Sequence, residues 1–264
     1  MYCQGDRQLI DSRAVIDPQA ELDEGVTIGP FSIIGPDVSI GTGTVIGPHV
    51  VVNGPTRIGR DNRIYQFASV GEDPQDKKYA GEPTTLEIGD RNVIREFATL
   101  HRGTVQDQGI TRIGNDNLLM AYIHVAHDCV LGDQVIMANA ASLGGHVKID
   151  DHAILGGFSK VHQFCRIGAH SFSGMGSAIN MDLPPYMMAA GQPTKPYGIN
   201  REGLSRRGFS KDAIQQIKRA YKIIYHSGQR LDAAREEIES LASETPELKI
   251  LVDFLSHSGR GILR

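Results

Sequence analysis

Every sixth residue from Ile10 is aliphatic: Ile10, Ile16, Leu22, Ile28, Ile34, Ile40, Ile46, Val52, Ile58, Ile64 and Val70. Leu, Ile, Val and Met make up about a quarter of the chain, so such a run arises by chance roughly once in a few million trials at one register. Glycine often follows the aliphatic, as in Ile28-Gly29, Ile34-Gly35, Ile40-Gly41, Ile46-Gly47 and Ile58-Gly59. A second run goes from Ile113 through Leu119, Val125, Leu131, Met137, Leu143, Ile149, Leu155 and Val161 to Ile167. Ile88, Ile94 and Leu100 belong between the two runs. A six-residue period of this kind predicts a parallel β-helix.

In such a fold one aliphatic per hexad points inward while short strands alternate with turns. Three hexads close a triangular coil, and coils stack about 4.8 Å apart through parallel backbone hydrogen bonds. Each buried aliphatic contributes roughly 1.5–3 kcal/mol, so stacked columns replace an aromatic core. That accounts for thirty glycines, no tryptophan and only 6% aromatics in 264 residues. After Pro196 the period changes. Ile214, Ile217, Tyr221 and Ile224 recur at helical spacing behind Ser210, a residue type that caps helix N-termini. Leu231 to Leu241 and Leu248 to Leu255 suggest two further helices. The expected organisation is a β-helix over 1–196 and an α-helical domain over 197–264.

The repeat also fixes where polar residues fall. Hexads one coil apart start eighteen residues apart, so those from Val125, Leu143 and Val161 are expected to stack. They carry His127, His146 and His162. The Leu100 hexad, with His101, joins this column if an insertion is placed near 106–112. Between Val70 and Ile88 the residues Asp76 and Glu82 replace the inward aliphatics, which indicates a second inserted loop of about twelve residues near 73–84. Solenoids carry loops on their working face. A histidine row beside two loops therefore reads as a site. Its chemistry stays open on spacing alone: histidines along one edge suit general-base catalysis, and three of them also suit zinc with an open coordination position.

The net charge of −4 gives no basic excess of the kind nucleic acid attracts. The opening MYCQGDRQLI lacks an apolar signal core, and no segment has the apolar length of a membrane span. Three cysteines without paired spacing fit a reducing cytoplasm, with Cys129 and Cys165 as packing residues.

More specific stretches carry a resemblance. "NRIYQFASVGEDPQDKKYAGEPT", "IREFATLHRGT", "NLLMAYIHVAHDC", "GGHVKIDDHAILGGFSKVHQFCRIGAHSF" and "EGLSRRGFSKDAI" are similar, essentially end to end, to the UDP-N-acetylglucosamine O-acyltransferase family of lipid A synthesis, within the hexapeptide-repeat acyltransferases. The resemblance implies a left-handed helix, whereas parallel crossovers are ordinarily right-handed. It implies transfer of an (R)-3-hydroxyacyl group from acyl carrier protein to the glucosamine 3-hydroxyl of UDP-N-acetylglucosamine. It also implies no metal or prosthetic group, and a homotrimer.

By resemblance His127 is the general base, Asp128 orients it, and the Gly145 N–H is the oxyanion donor. Gln75, Asp76, Lys78, His101, His124, His146 and His162 match contacts to the sugar and diphosphate. Gln163, Asn200, Glu202, Arg206 and Arg207 match nucleotide-side contacts, and paired arginines suit diphosphate oxygens. The family has glycine at the position of Met175 beside the acyl groove, so a methionine there implies a shorter donor of roughly ten carbons. Arg206, Arg207, Lys211, Lys218, Arg219 and Lys222 offer a basic surface to the acidic carrier protein. The rival readings are an N-acyl or acetyl transferase of the same superfamily, a zinc-dependent carbonic anhydrase of the same fold, and a non-catalytic β-helix.

Overall fold

The computed structural model describes residues 10–258 and 260–264. Internal contacts divide the chain into two compact units after Asp133.

The first unit is built from strands of two to four residues, all parallel, in three stacks. One stack runs from Val15–Ile16 through Ile33–Ile34, Val51–Val52, Ser69–Glu72 and Thr99–His101 to His124–Val125. The second includes Thr56–Ile58, Thr85–Ile88 and Ile110–Ile113; the third includes Val45–Ile46, Arg63–Ile64 and Val93–Ile94. Partners such as Ile16 and Ile34, or Ile46 and Ile64, are one eighteen-residue coil apart, as the hexads predict. Ile28, Ile34, Ile40, Ile46 and Ile64 are buried. At the end of the stack the aliphatics are less covered: Ile10 is 38% exposed, and Ile16 and Leu22 are half-buried.

Corners demand a tight reversal, and the third residue after many inward aliphatics takes positive φ. Phe31 (+60°), His49 (+57°), Phe67 (+65°), Phe97 (+58°) and Tyr122 (+64°) form one such column. Left-handed backbone costs a non-glycine residue roughly 1–2 kcal/mol. Stacking offsets part of that, since successive rings in this column lie 5.2, 5.3, 5.0 and 4.7 Å apart. Inside, Asn62, Asn92 and Asn117 form a ladder. The Asn92 N–H and amide donate to Asn62 Oδ1 at 2.9 and 3.0 Å, and the Asn117 N–H donates to Asn92 Oδ1 at 3.0 Å. The buried amides of Asn62 and Asn92 also donate to the Gly89 and Gly114 carbonyls at 2.8 and 2.9 Å.

Both inserted loops interrupt the eighteen-residue count. Val70 pairs with Leu100 and Leu100 with Val125. Residues 73–84 lie between the strands Ser69–Glu72 and Thr85–Ile88, which matches the expected insertion. The second insert comes earlier than the expected 106–112. It occupies 102–109, because Ile110 to Ile113 already pair with Thr85 to Ile88.

The second unit continues with hexad strands. Leu143 pairs with Val161 and Val161 with Ile179, Ile149 with Ile167, and Ile154 with Phe172. Ser173 takes an inward position and is fully buried, with its hydroxyl 2.9 Å from that of Ser159. A polar pair thus fills the place of an aliphatic. Lys195–Ile199 then pairs antiparallel to Met187–Ala190, so the last strand straddles the 196/197 boundary.

Helices begin at Arg201: α1 (Arg201–Arg206), α2 (Lys211–His226), α3 (Leu231–Ala242) and α4 (Lys249–Ser256). Ser210 caps α2, accepting the Ala213 N–H at 3.0 Å, and Ile217, Ala220 and Ile224 form its buried face. The short α1 has no apolar period and went unread in the sequence. Cys129 and Cys165 are both buried, and burial pushes the Cys165 thiol up to about 11.

Candidate functional site

In the first unit, His127 and Asp128 occupy the corner after the strand His124–Val125. Asp128 lies at φ +59°. That backbone turns its carboxylate back onto the preceding imidazole, and His127 Nδ1 lies 2.9 Å from Asp128 Oδ2. A carboxylate only accepts, so Nδ1 carries the proton and the basic lone pair belongs to Nε2. The Asp128 side chain is buried, and burying a carboxylate is costly unless donors surround it. Thr104 supplies them. Its N–H lies 2.9 and 3.1 Å from the two carboxylate oxygens, and its hydroxyl donates to Oδ2 at 2.6 Å.

His124 and His101 lie on neighbouring strands, paired through Leu100 and Val125, with ring centroids 5.2 Å apart. His101 Nδ1 faces the Asp73 carbonyl oxygen at 2.6 Å and must donate to it. His124 Nδ1 is 2.8 Å from Thr99 Oγ1. Burial, then the neighbouring imidazoles of His101 and His127, pull the His124 pKa down to about 4. A neutral His124 offers hydrogen bonds rather than a positive charge.

Of the first-loop residues, Gln75 and Lys78 are exposed, and Asp76 turns its carboxylate onto the Lys78 N–H at 3.0 Å. The loop is tied down by Arg102, whose charge is almost wholly buried. Its guanidinium donates to the carbonyls of Gly54 (3.0 Å) and Gly71 (2.5 Å), to the Tyr79 hydroxyl (3.0 Å) and to the Asp73 carboxylate.

In the second unit, Gly145 is buried and its carbonyl accepts the Phe164 N–H at 3.1 Å. His146 stacks on Phe164 with centroids 4.3 Å apart. His162, its Nδ1 3.1 Å from the Gln163 carbonyl, borders an open groove of about 410 Å³ with Val161, Ala178 and Ile179. Gln163 is exposed. Met175 is 78% exposed on the turn beyond Ser173.

Asn200 caps α1, accepting the Gly203 N–H at 3.1 Å while its amide donates to the His170 carbonyl at 3.0 Å. Arg206 and Arg207, expected as a pair, diverge. Arg206 extends into solvent 4.0 Å from Glu202, one turn away. Arg207 is half-buried and donates to the His152 carbonyl at 3.2 Å, and burial lowers its pKa.

A family model described as UDP N-acetylglucosamine O-acyltransferase, domain 2, matches residues 182–263, and one for six bacterial transferase hexapeptides matches residues 19–54. The acyl-[acyl-carrier-protein]–UDP-N-acetylglucosamine O-acyltransferase of Halorhodospira halophila is 60% identical, over 97% of this chain and 99% of its own. The chain belongs to the UDP-N-acetylglucosamine O-acyltransferase family.

The counterpart in Alkalilimnicola ehrlichii is 61% identical at the same coverage. Among solved structures of the family, LpxA from Acinetobacter baumannii aligns with a TM-score of 0.95 at 52% identity, over 97% of this chain and all of that one. The acyltransferase of Francisella novicida gives 0.95 at 43% identity, over 97% and 94%. Members of the family are acyltransferases, and this chain shares their fold, a left-handed parallel β-helix with a small C-terminal helical part.

Sequence reasoning missed Arg102, Thr104 and Thr99. Arg102 and Thr104 follow His101 directly, in the stretch HRGT. An arginine beside an insertion was the available signal.

Proposed function

We propose that the chain transfers an (R)-3-hydroxyacyl group from acyl carrier protein to the glucosamine 3-hydroxyl of UDP-N-acetylglucosamine, the first step of lipid A biosynthesis. The observation that carries the reading is the His127–Asp128 pair, 2.9 Å apart, with the imidazole proton committed to the carboxylate.

In this reading His127 Nε2 takes the proton of the 3-hydroxyl as its oxygen attacks the thioester carbon. The Gly145 N–H receives the developing oxyanion. When the C–S bond breaks, the same imidazole returns the proton to the leaving thiolate, so the products are the ester and the free carrier-protein thiol. His101, His124, His146 and His162, with Gln75, Asp76 and Lys78, surround the sugar and diphosphate. Gln163, Asn200, Glu202, Arg206 and Arg207 serve the nucleotide side. Met175 shortens the acyl groove to about ten carbons. The reaction needs no metal and no cofactor, the enzyme is a cytoplasmic homotrimer, and the basic surface of α2 receives the carrier protein. No helix among the described residues is long and apolar enough to cross a membrane.

The test is acyl transfer by purified, chelator-treated protein from a length series of (R)-3-hydroxyacyl carrier proteins. Turnover is expected to peak near ten carbons and to fall by about a hundredfold or more in His127→Ala. Turnover that appears only when zinc is restored, or that survives His127→Ala, overturns the reading.

A further inference from the structure

We infer that the insert 102–109 is a positioning device, and that Thr104 at its start and Thr111 just past its end hold Asp128 in the orientation that fixes the His127 tautomer. The inference rests on the proposed function only in giving His127 the role of base.

Asp128 departs from the hydrogen-bonding rule that other corners of the coil obey. At ordinary corners the left-handed residue donates its N–H to a carbonyl of the coil below: His49 to Pro30 at 3.0 Å, Asp61 to Thr42 at 3.0 Å, Tyr122 to Glu96 at 2.9 Å. At Asp128 the insert has opened that lower corner. The Asp128 N–H donates instead to the Thr111 hydroxyl at 2.8 Å. The carboxylate on the same residue takes three contacts from Thr104, at 2.6, 2.9 and 3.1 Å. Thr104 and Thr111 are fully buried. Asp128 is therefore held from both sides of one insert, its N–H by the Thr111 hydroxyl and its carboxylate by the Thr104 N–H and hydroxyl.

The insert is built to bring those ends together. The Thr104 carbonyl accepts the Gly109 N–H at 3.0 Å and closes the loop on itself. A Cβ on Gly103 would collide with the Ile110 backbone, so only glycine permits this approach. The four residues 101–104 thus divide the work among them. His101 faces His124, Arg102 ties down the first loop, Gly103 closes the insert, and Thr104 orients Asp128.

The consequence for the reaction is specific. With the Thr104 donors in place, Asp128 Oδ2 has one direction left for the His127 Nδ1–H. Without the hydroxyl Oδ2 loses its 2.6 Å donor, its hold on the Nδ1–H is loosened, and the imidazole samples the tautomer whose Nε2 carries the proton and has no lone pair for the sugar hydroxyl.

Two measurements test this on Thr104→Val, Thr104→Ser and Asp128→Asn in the full chain. Nitrogen-15 shifts of the labelled His127 ring report its tautomer without substrate: Nδ1-protonated in the native protein and in Thr104→Ser, mixed in Thr104→Val. Kinetics should give a fall in kcat of about tenfold to a hundredfold in Thr104→Val, with KM for UDP-N-acetylglucosamine within about twofold. Thr104→Ser should recover to within about threefold, and Thr104→Val combined with Asp128→Asn should be no worse than Asp128→Asn alone. An unchanged ring signature in Thr104→Val, or losses that multiply in the double variant, overturns the inference. Should the native protein prove inactive with these substrates, the proposed function fails, while the ring signature still decides the role of Thr104.

Discussion

At the scale of single residues, two imidazoles are kept neutral by their surroundings. His124 is held near 4 by burial and by two neighbouring histidines. His170 is held near 4 by burial, then by His152 and Arg207. Its ring stacks between those of His152 and Tyr186, with centroids 4.6 and 5.7 Å away. An unfolded chain takes up protons at these positions as pH falls through about 6.5, whereas the folded chain resists until about 4. Their contribution is therefore complete above pH 6.5 and is lost as pH falls toward 4, with a slope of at most about 1.4 kcal/mol per pH unit for each group. The unfolding midpoint should drop over that window. His170→Phe keeps a ring in the stack and removes one titration, so its midpoint should fall less steeply than that of the native protein. Equal slopes would remove His170 from the account.

At the scale of elements, the loop 73–84 depends on one side chain. Arg102 holds it through Asp73 and Tyr79, and His101 adds the bond to the Asp73 carbonyl. Arg102→Met should release the loop. Trypsin is then expected to cut after Lys77 or Lys78 at least about tenfold faster, and KM for UDP-N-acetylglucosamine to rise about as much, with kcat changing less. An unaltered cleavage rate would mean that the loop holds itself. The turn bearing Met175 offers a separate check: Met175→Gly should move the preferred donor to longer chains. A donor profile that does not move would take Met175 out of the acyl groove. The loop was legible in the sequence because Asp76 and Glu82 stand where aliphatics belong. Its anchor was not. The Arg102 contacts reach to residues as distant in sequence as Gly54, and no periodicity encodes such a reach.

At the scale of the whole molecule, sedimentation at micromolar concentration should give a single trimeric species; a monomer with full activity would overturn the proposed homotrimer. The hexads made most of the fold readable, because a solenoid repeats one local rule and each aliphatic reports its own position. The second insert ends three residues before the expected 112 because Ile113 was the first aliphatic back in register, while the strand already begins at Ile110. The helix α1 escaped notice because six residues are too few to display a period. Of the candidate site, His127 and Asp128 were readable as chain neighbours. The buried donors around Asp128 were not, since threonine is an ordinary occupant of any turn or strand.

The pairing of Val70 with Leu100 and of Leu100 with Val125 has one more consequence. Chain is looped out twice, yet the next aliphatic still finds its column. The scaffold keeps no tally of what lies between coils. Each strand is addressed by the one beneath it, so a corner can be lengthened, shortened or rewritten and the core above it is unaware of the edit. A change of substrate in such a protein is then a change of loop text on a page whose ruling stays fixed.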